Sequence, residues 1–276
     1  MRKFLFLLLL ILLQPFVSAF AESEPFLQVH QIDRGCADAY LFIHGDTAII
    51  MDGGNDIGQG PDSLMDYLHA AGFKKLTAYI VTHYHDDHSA NMNLILDAFG
   101  DDDTIILGPS RQMKPDYLPL PKGVYQPMVD GDILPIGALT FHCVGPRKVQ
   151  MEGSLNADSL NVLLTYGDHK MLFTGDHTWS NNVLDKYPDL LRDIDVLKFP
   201  HHGLEPFSIG DRTFRQLNPN YILLPGSNSY KVLNFAKKNG FKGELIDNGD
   251  GNTVLLSNGR EITVHTLCAP GQFAHY

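Results

Sequence analysis

The sequence predicts an α/β protein with a four-layer αββα architecture, in which two mixed sheets face each other and helices cover their outer faces. Three observations lead there. Short runs of strand character alternate with stretches of helical spacing from about residue 26 onward. The alternation occurs twice, in halves of similar layout, and no low-complexity linker or shift in composition separates them. After an N-terminal leader, residues 22–276 are therefore expected to form one domain.

The leader comes first. Met1-Arg2-Lys3 is followed by FLFLLLLILLQPFVSAFAESE, a charged start, an apolar run and small residues at Ala19 and Ala21. This is the layout of a secretory signal, with cleavage expected after Ala21. The competing reading is a retained anchor, but Gln14 and Pro15 break the apolar run well short of the roughly 20 residues that span a bilayer. Export to a periplasmic or extracellular compartment is expected, with no stable membrane insertion once the leader is gone.

Strand-type residues at 26–31, 39–44 and 47–51 imply a hairpin-like β start, ending at Asp52-Gly53-Gly54. Residues 62–72 place Leu64, Tyr67, Leu68 and Ala71 at helical spacing, with Asp62 as a cap and Gly72 as a stop. LTAYIVTH (76–83) reads as a buried strand that delivers His83 at its C-terminal end. A helix is expected over 89–99 and a strand over 104–108, while the Pro- and Tyr-containing stretch 111–135 reads as a long loop. In the second half, strands are expected at 138–144, 160–166, 170–174, 194–199 and 221–225 and a helix at 230–239. A final hairpin, 253–257 with 261–266, turns across Asn258-Gly259.

The formal net charge is −11, and more negative still without Arg2 and Lys3 of the leader. Such a chain has no general attraction for nucleic acid or anionic membrane. Cys36, Cys143 and Cys268 are too few for a disulfide framework and form no CxxC pair. Two could bridge in an oxidising compartment, or all three could be free thiols.

The densest chemistry lies in Thr82-His83-Tyr84-His85-Asp86-Asp87-His88, three imidazoles and two carboxylates within six residues at the end of an apolar strand. Imidazole nitrogens and carboxylate oxygens are ligands for first-row divalent metals, and side chains i and i+2 leaving a strand can converge on one ion. Asp87 and His88, displaced by the following turn, can face a neighbouring ion. Two ions roughly 3.5–4 Å apart would clamp a water and polarise a substrate oxygen. A histidine-rich polar turn is the bland alternative. Against it stand further ligand types at strand ends downstream, Asp176 in Thr174-Gly175-Asp176 and the pair His201-His202 before Gly203.

An Asp ending an early strand, then HxHxDH, then TGD, then a late His at a strand end, in that order over about 50–203, resembles the metallo-β-lactamase superfamily. Within it, DVLKFPHHG and Asn156-Ala157-Asp158-Ser159-Leu160 are similar to the hydrolase domain at the end of ComEC-type DNA-uptake proteins and to their stand-alone relatives. The resemblance implies an αββα fold and one or two divalent metal ions, Zn²⁺ first and Mn²⁺ as the alternative. His83 and His85 would hold the first ion and Asp87 and His88 the second. Asp176 would bridge both, and Asp52 would support the site by hydrogen bonding to a ligand loop. His201, the first residue off the strand after Pro200, is favoured to complete the second site, leaving His202 for substrate. The superfamily usually has a third histidine for the first metal before TGD. Here that interval holds only His142, which reads as a core or surface imidazole, and Asn156 or Asp158 would supply oxygen instead. This chain also departs from the ComEC-type pattern at Leu204, where serine is frequent, and at Gly226-Ser227-Asn228-Ser229-Tyr230, which lacks a histidine.

The function expected is hydrolysis of a phosphodiester or related phosphoester by a metal-activated hydroxide. Asp87 or Asp176 would take the proton, and Lys198 or His202 would stabilise charge developing on the substrate; His177 reads as an ordinary loop residue or a support. The acidic charge favours a small-molecule or envelope phosphoester over a long nucleic acid. The alternatives are a carboxyl-ester, lactone or β-lactam hydrolase and, from another class, a metal-binding recognition module without catalysis.

Overall fold

A computed structural model describes residues 25–55, 64–109, 122–146, 155–179, 181–204, 208–226 and 228–276. The expected leader lies outside them, as does residue range 111–121 of the expected loop. The elements in chain order are β1 (Leu27–Gln31), β2 (Ala39–His44), β3 (Thr47–Gly53), α1 (Leu64–Ala70), β4 (Ala78–Ile80), α2 (Asp86–Ser89), α3 (Met92–Phe99) and β5 (Ile105–Pro109). There follow β6 (Val124–Met128), β7 (Ile133–Ile136), β8 (Leu139–Gly145), β9 (Asn161–Tyr166), β10 (His169–Phe173), α4 (Asn181–Lys186) and β11 (Val196–Lys198). The last are α5 (Asp211–Leu217), β12 (Tyr221–Leu224), α6 (Ser229–Lys238), β13 (Glu244–Asp247), β14 (Thr253–Ser257) and β15 (Ile262–His265).

Two sheets result, in the orders β15-β14-β1-β2-β3-β4-β5-β6 and β13-β12-β11-β10-β9-β8-β7. Each is antiparallel in one part and parallel in the other. In the first, β3, β4, β5 and β6 run parallel, and in the second β10 to β13 do. Period-two alternation explains how both faces of each sheet are filled. Tyr40 and Phe42 of β2 and Ile49 and Met51 of β3 point between the sheets, where they meet Phe141, Val162, Leu164, Met171 and Phe173. Leu41, Ile43 and Ile50 point the other way, under α1 and α3. Leu163, Leu172 and Leu197 likewise lie under α5 and α6, beside Trp179 and Phe214. Three apolar layers thus alternate with two sheets, the αββα sandwich the sequence predicts.

The stretch read as a loop to residue 135 contains β6 and the start of β7. Pro127 and Pro135 suggested irregular chain, but these strands are the outermost of their sheets, where a missing N–H breaks no ladder on the open side. The helix expected over 89–99 is divided into α2 and α3. All three cysteines are free thiols, Cys36 exposed and the other two buried. Among the described residues no helix is long and apolar enough to cross a membrane.

Away from the sheet ends, His30 in β1 is buried between two partners, its Nδ1 2.8 Å from the Tyr67 hydroxyl and its Nε2 3.0 Å from Gln28 Oε1. A neutral ring satisfies both, with Tyr67 donating and Nε2–H donating to Gln28. Burial pushes its pKa down to about 3. Because the folded chain then binds the proton less well than the unfolded one, this group costs nothing above the unfolded value near 6.5. It removes about 1.4 kcal/mol of stability per pH unit as pH falls from there toward about 3. His30→Gln, neutral at every pH and able to make both bonds, is expected to flatten the fall in urea midpoint between pH 7 and 4. An unchanged slope would show that His30 does not drive it.

Candidate metal centre

Every ligand-type side chain of the centre leaves the C-terminal end of a strand or the turn after it. Parallel strands open there, and the next element begins without filling the gap. Asp52 closes β3 with a left-handed backbone, φ 55°. Its Oδ1 accepts the Thr82 backbone N–H at 2.8 Å and its Oδ2 accepts the Thr82 hydroxyl at 2.7 Å. The same Oδ2 lies 2.8 Å from His88 Nδ1. Asp52 therefore fixes both ends of the His83–His88 turn. Gly175, after β10, also has φ 50°, and a Cβ built on it would stand 2.9 Å from Ser159 Cβ and 3.1 Å from Thr82 Cβ. Gly175→Ala is expected to force apart the chains that carry Asp176 and His83. Weaker metal binding in a variant that still folds would be seen by calorimetry; binding equal to that of the parent chain would refute the tight fit.

Two groups of donor atoms form, His83, His85 and Asp176 in the first and Asp38, His88, Asp176 and His202 in the second. In the first, His83 Nε2 lies 3.1 Å from His85 Nδ1 and 3.7 Å from Asp176 Oδ2. In the second, His88 Nε2 lies 3.3 Å from His202 Nε2, and Asp176 Oδ1 lies 3.4 Å from the first of these and 3.3 Å from the other. Asp87 Oδ2 approaches His202 Nε2 to 3.3 Å. Four-coordinate ions with bonds of roughly 2.0–2.1 Å separate their ligands by about 3.4 Å. The triangle of His88, His202 and Asp176 has the size of one face of such a site, so the residues fit a divalent cation. Asp176 joins the two groups through its two oxygens.

Burial and neighbouring charges oppose each other at each of these groups. Burial works against charge on Asp176, yet His88, His202 and Lys198 beside it hold its carboxyl far below the usual range. His88 is disfavoured as a cation by burial but is pulled up to about 10 by Asp52, Asp176 and Asp38. His83 is pushed well down, by burial first and by His88 second. Protons and a cation would compete for the same imidazole nitrogens.

The geometry brings together His83, His85, Asp87, His88 and Asp176, and it corrects the reading of the histidine pair. His202, not His201, meets His88 and Asp87. His201 Nε2 is on the first group's side, 3.9 Å from Asp176 Oδ2 and 3.2 Å from Asn156 Nδ2. The cause is local: His201 and His202 both have φ 50° in the turn Pro200–Gly203, so the chain does not leave β11 in extended form. His201 keeps 22 % of its side chain exposed whereas His202 keeps 1 %, so His201 is the one that can meet a substrate. Lys198, expected on the substrate side, is also 1 % exposed and is held by Asp38 at 2.5 Å and by the Gly175 carbonyl at 2.9 Å. His142 lies mid-strand opposite Leu163 and enters neither group. Asp158 is buried in the turn Leu155–Asp158, and His177 hydrogen-bonds the Ala157 backbone and feels the Asp158 charge.

Sequence reasoning missed Asp38. It is 1 % exposed, its Oδ1 lies 3.4 Å from His202 Nδ1, and its Oδ2 lies 3.6 Å from His88 Nδ1. A lone carboxylate in Cys36-Ala37-Asp38-Ala39 gave no local signal. The one available hint was its place just before β2, at the same end of the sheet as Asp52.

Comparison with known proteins gives a consistent picture. A family model described as Metallo-beta-lactamase superfamily matches residues 33–226. The ComE operon protein 3 of Bacillus subtilis (strain 168) is 27 % identical over 186 residues, which is 60 % of this chain and 22 % of that protein. The chain thus spans about a fifth of that relative's length. Among solved structures, Igni18, a metallo hydrolase from Ignicoccus hospitalis, superposes with a TM-score of 0.59 at 13 % identity, covering 87 % of this chain and 100 % of the other. The metallo-beta-lactamase fold protein YhfI from Bacillus subtilis gives 0.56 at 18 %, covering 81 % and 96 %. At these identities the likeness is one of fold.

Proposed function

The chain belongs to the metallo-β-lactamase superfamily, and on that premise we propose that it is an exported, metal-dependent hydrolase of a small-molecule or envelope phosphodiester or related phosphoester. The observation that carries the reading is the pair of donor groups joined by the two oxygens of Asp176. His83 and His85 would hold one cation, and His88, His202 and Asp87 the other. Bound there, Zn²⁺ or Mn²⁺ would supply a Lewis acid for the phosphoryl oxygens and an activated water.

The chain's own residues divide the remaining work. Asp87 is the carboxylate of the second group that reaches solvent, with 37 % of its side chain exposed. Burial raises its pKa, but His202 and His88 bring it below the ordinary carboxylate value, so it is an ionised acceptor for a proton released at the mouth. His201 and Asn156, side by side near Asp176 Oδ2, are placed to donate hydrogen bonds to a phosphoester oxygen. Lys198 and His202 are too buried to touch substrate and act on the charges around them. The phosphoester preference rests on the resemblance of DVLKFPHHG and Asn156-Ala157-Asp158-Ser159-Leu160 to the ComEC-type hydrolase domain and on the suitability of a two-cation clamp for in-line displacement at phosphorus. The acidic net charge of −11 favours a small substrate over long nucleic acid. Export is proposed from the leader's layout.

The test is a comparison of substrates with the full mature chain. Turnover of bis(p-nitrophenyl) phosphate, with little on nitrocefin or a p-nitrophenyl ester, is expected. Nitrocefin or ester hydrolysis without phosphodiester turnover would replace the phosphoester reading. A well-folded, metal-loaded chain inactive on all three would point to recognition instead of catalysis.

A further inference from the structure

Each imidazole of the second group has two nitrogens on opposite sides of its ring, and the structure separates what they face. The Nε2 atoms of His88 and His202 converge, 3.3 Å apart, on Asp176 and Asp87. Their Nδ1 atoms face away, toward other carboxylates. His88 Nδ1 meets Asp52 at 2.8 Å. His202 Nδ1 lies 3.4 Å from Asp38 Oδ1, and both atoms are fully buried without a geometric hydrogen bond. A donor and an acceptor stranded together inside a protein are each other's only relief from the cost of burial.

Asp38 is in turn anchored. Its backbone N–H bonds to the Asp87 carbonyl at 3.0 Å, and its Oδ2 carries the ion pair with Lys198 at 2.5 Å. Lys198 Nζ also donates to the Gly175 carbonyl at 2.9 Å and lies 3.6 Å from Asp176 Oδ1. One buried ammonium thus ties together the carboxylate behind His202, the peptide that carries Asp176 and Asp176 itself.

From this geometry we propose that Asp38 and Lys198 are a positioning pair for the second metal site. Asp38 keeps the proton of His202 on Nδ1 so that the Nε2 lone pair points at the cation, and Lys198 holds Asp38 in register. The inference rests on the two-metal reading of the centre but not on any substrate. Asp38 stands in the second donor group, but its oxygens address the Nδ1 side of both rings while Asp87 and Asp176 address the Nε2 side, so the role proposed for it is toward the rings and not the cation. A carboxylate behind a metal-binding histidine commonly sets its tautomer, and removing one lowers metal affinity about 10–100-fold.

The experiment is calorimetric titration of the metal-stripped full chain with Mn²⁺ and with Zn²⁺, for the parent, Asp38→Asn and the double variant Asp38→Asn/Lys198→Met. The double variant preserves net charge and leaves no buried ion unpaired, so it is expected to fold with a melting temperature close to the parent's. For both variants the first ion should bind as in the parent and the second about 10–100-fold more weakly. Imidazole nitrogen NMR should show His202 losing its Nδ1–H form in both. If the double variant regains full second-site affinity, the pair matters only through charge and the positioning role is overturned. Equal loss of both ions with a large drop in melting temperature would also overturn it, as a merely structural contribution. Because the readouts are ion binding and tautomer, absence of phosphodiester turnover would count against the proposed function alone.

Discussion

Asp176→Ala is expected to abolish turnover, lowering kcat/KM by at least about 10³-fold, and to leave the chain unable to hold two cations at once. Among the described residues Asp176 alone belongs to both groups: Oδ1 stands 3.3–3.4 Å from His202 and His88, and Oδ2 3.7 Å from His83. Removing it deletes an edge from each site and the link that fixes their separation, on which a two-cation clamp depends. The fold should survive, since Lys198 keeps Asp38 as its counter-ion at 2.5 Å and the apolar layers lie elsewhere. Metal content by elemental analysis, steady-state kinetics and a melting curve on the same preparation check this. Two retained ions with turnover within about tenfold of the parent would show that Asp176 does not bridge.

Asp52→Asn is expected to act by a different route and lower turnover by about 100-fold or more, with loss of the second ion before the first. The carboxylate accepts three hydrogen bonds, from Thr82 N–H, the Thr82 hydroxyl and His88 Nδ1. Asparagine has one oxygen. If that oxygen keeps the Thr82 N–H, its NH₂ faces His88 Nδ1, and the ring must accept there and carry its proton on Nε2, where the cation should be. A single-atom change thus inverts the tautomer. Second-layer changes of this kind cost about 10–100-fold in affinity, and a wrong tautomer in a catalytic imidazole can cost about 10⁴ in rate. Asp52→Ala adds a stability loss of about 1–3 kcal/mol for each buried group left unpaired. Titration of the second site, beside kinetics at saturating metal, measures both effects. Parent-like second-site affinity in Asp52→Asn would contradict the assignment of Asp52 as the orienting group.

Much of this centre is legible in the sequence because its chemistry is locally dense. His83, His85, Asp87 and His88 fall within six residues at the end of a strand whose apolar run is unambiguous, and Asp176 announces itself by ending another. The layer architecture is legible for the same reason. Alternation along β2, β3, β9 and β10 shows side chains meeting apolar surroundings on both faces, which requires a sheet covered on both sides.

What could not be read depends on dihedral angles and on distant contacts. That His202 turns to His88 while His201 stays at the mouth follows from left-handed backbone at two consecutive non-glycine residues, which residue identity does not announce. Lys198, expected to face the substrate, is instead buried. Its burial is compensated by Asp176 and above all by Asp38, 160 positions away in sequence. Asp38 itself sits in an undistinguished segment, and its role exists only once β2 and β11 have been brought to the same end of the sandwich. The edge strands β6 and β7 were hidden by Pro127 and Pro135, which are compatible with a strand only when one side of it is unpaired.

The central claim is that two cations held by His83, His85, Asp87, His88, Asp176 and His202 carry out the hydrolysis. Its most direct test is to titrate the metal-stripped mature chain with Mn²⁺ or Zn²⁺, following bound metal and bis(p-nitrophenyl) phosphate turnover in the same samples. The account predicts two equivalents bound per chain, activity that rises with the second equivalent, and neither effect in His85→Ala or Asp87→Ala. Turnover that persists in the stripped protein, or two bound ions in both variants, would contradict it.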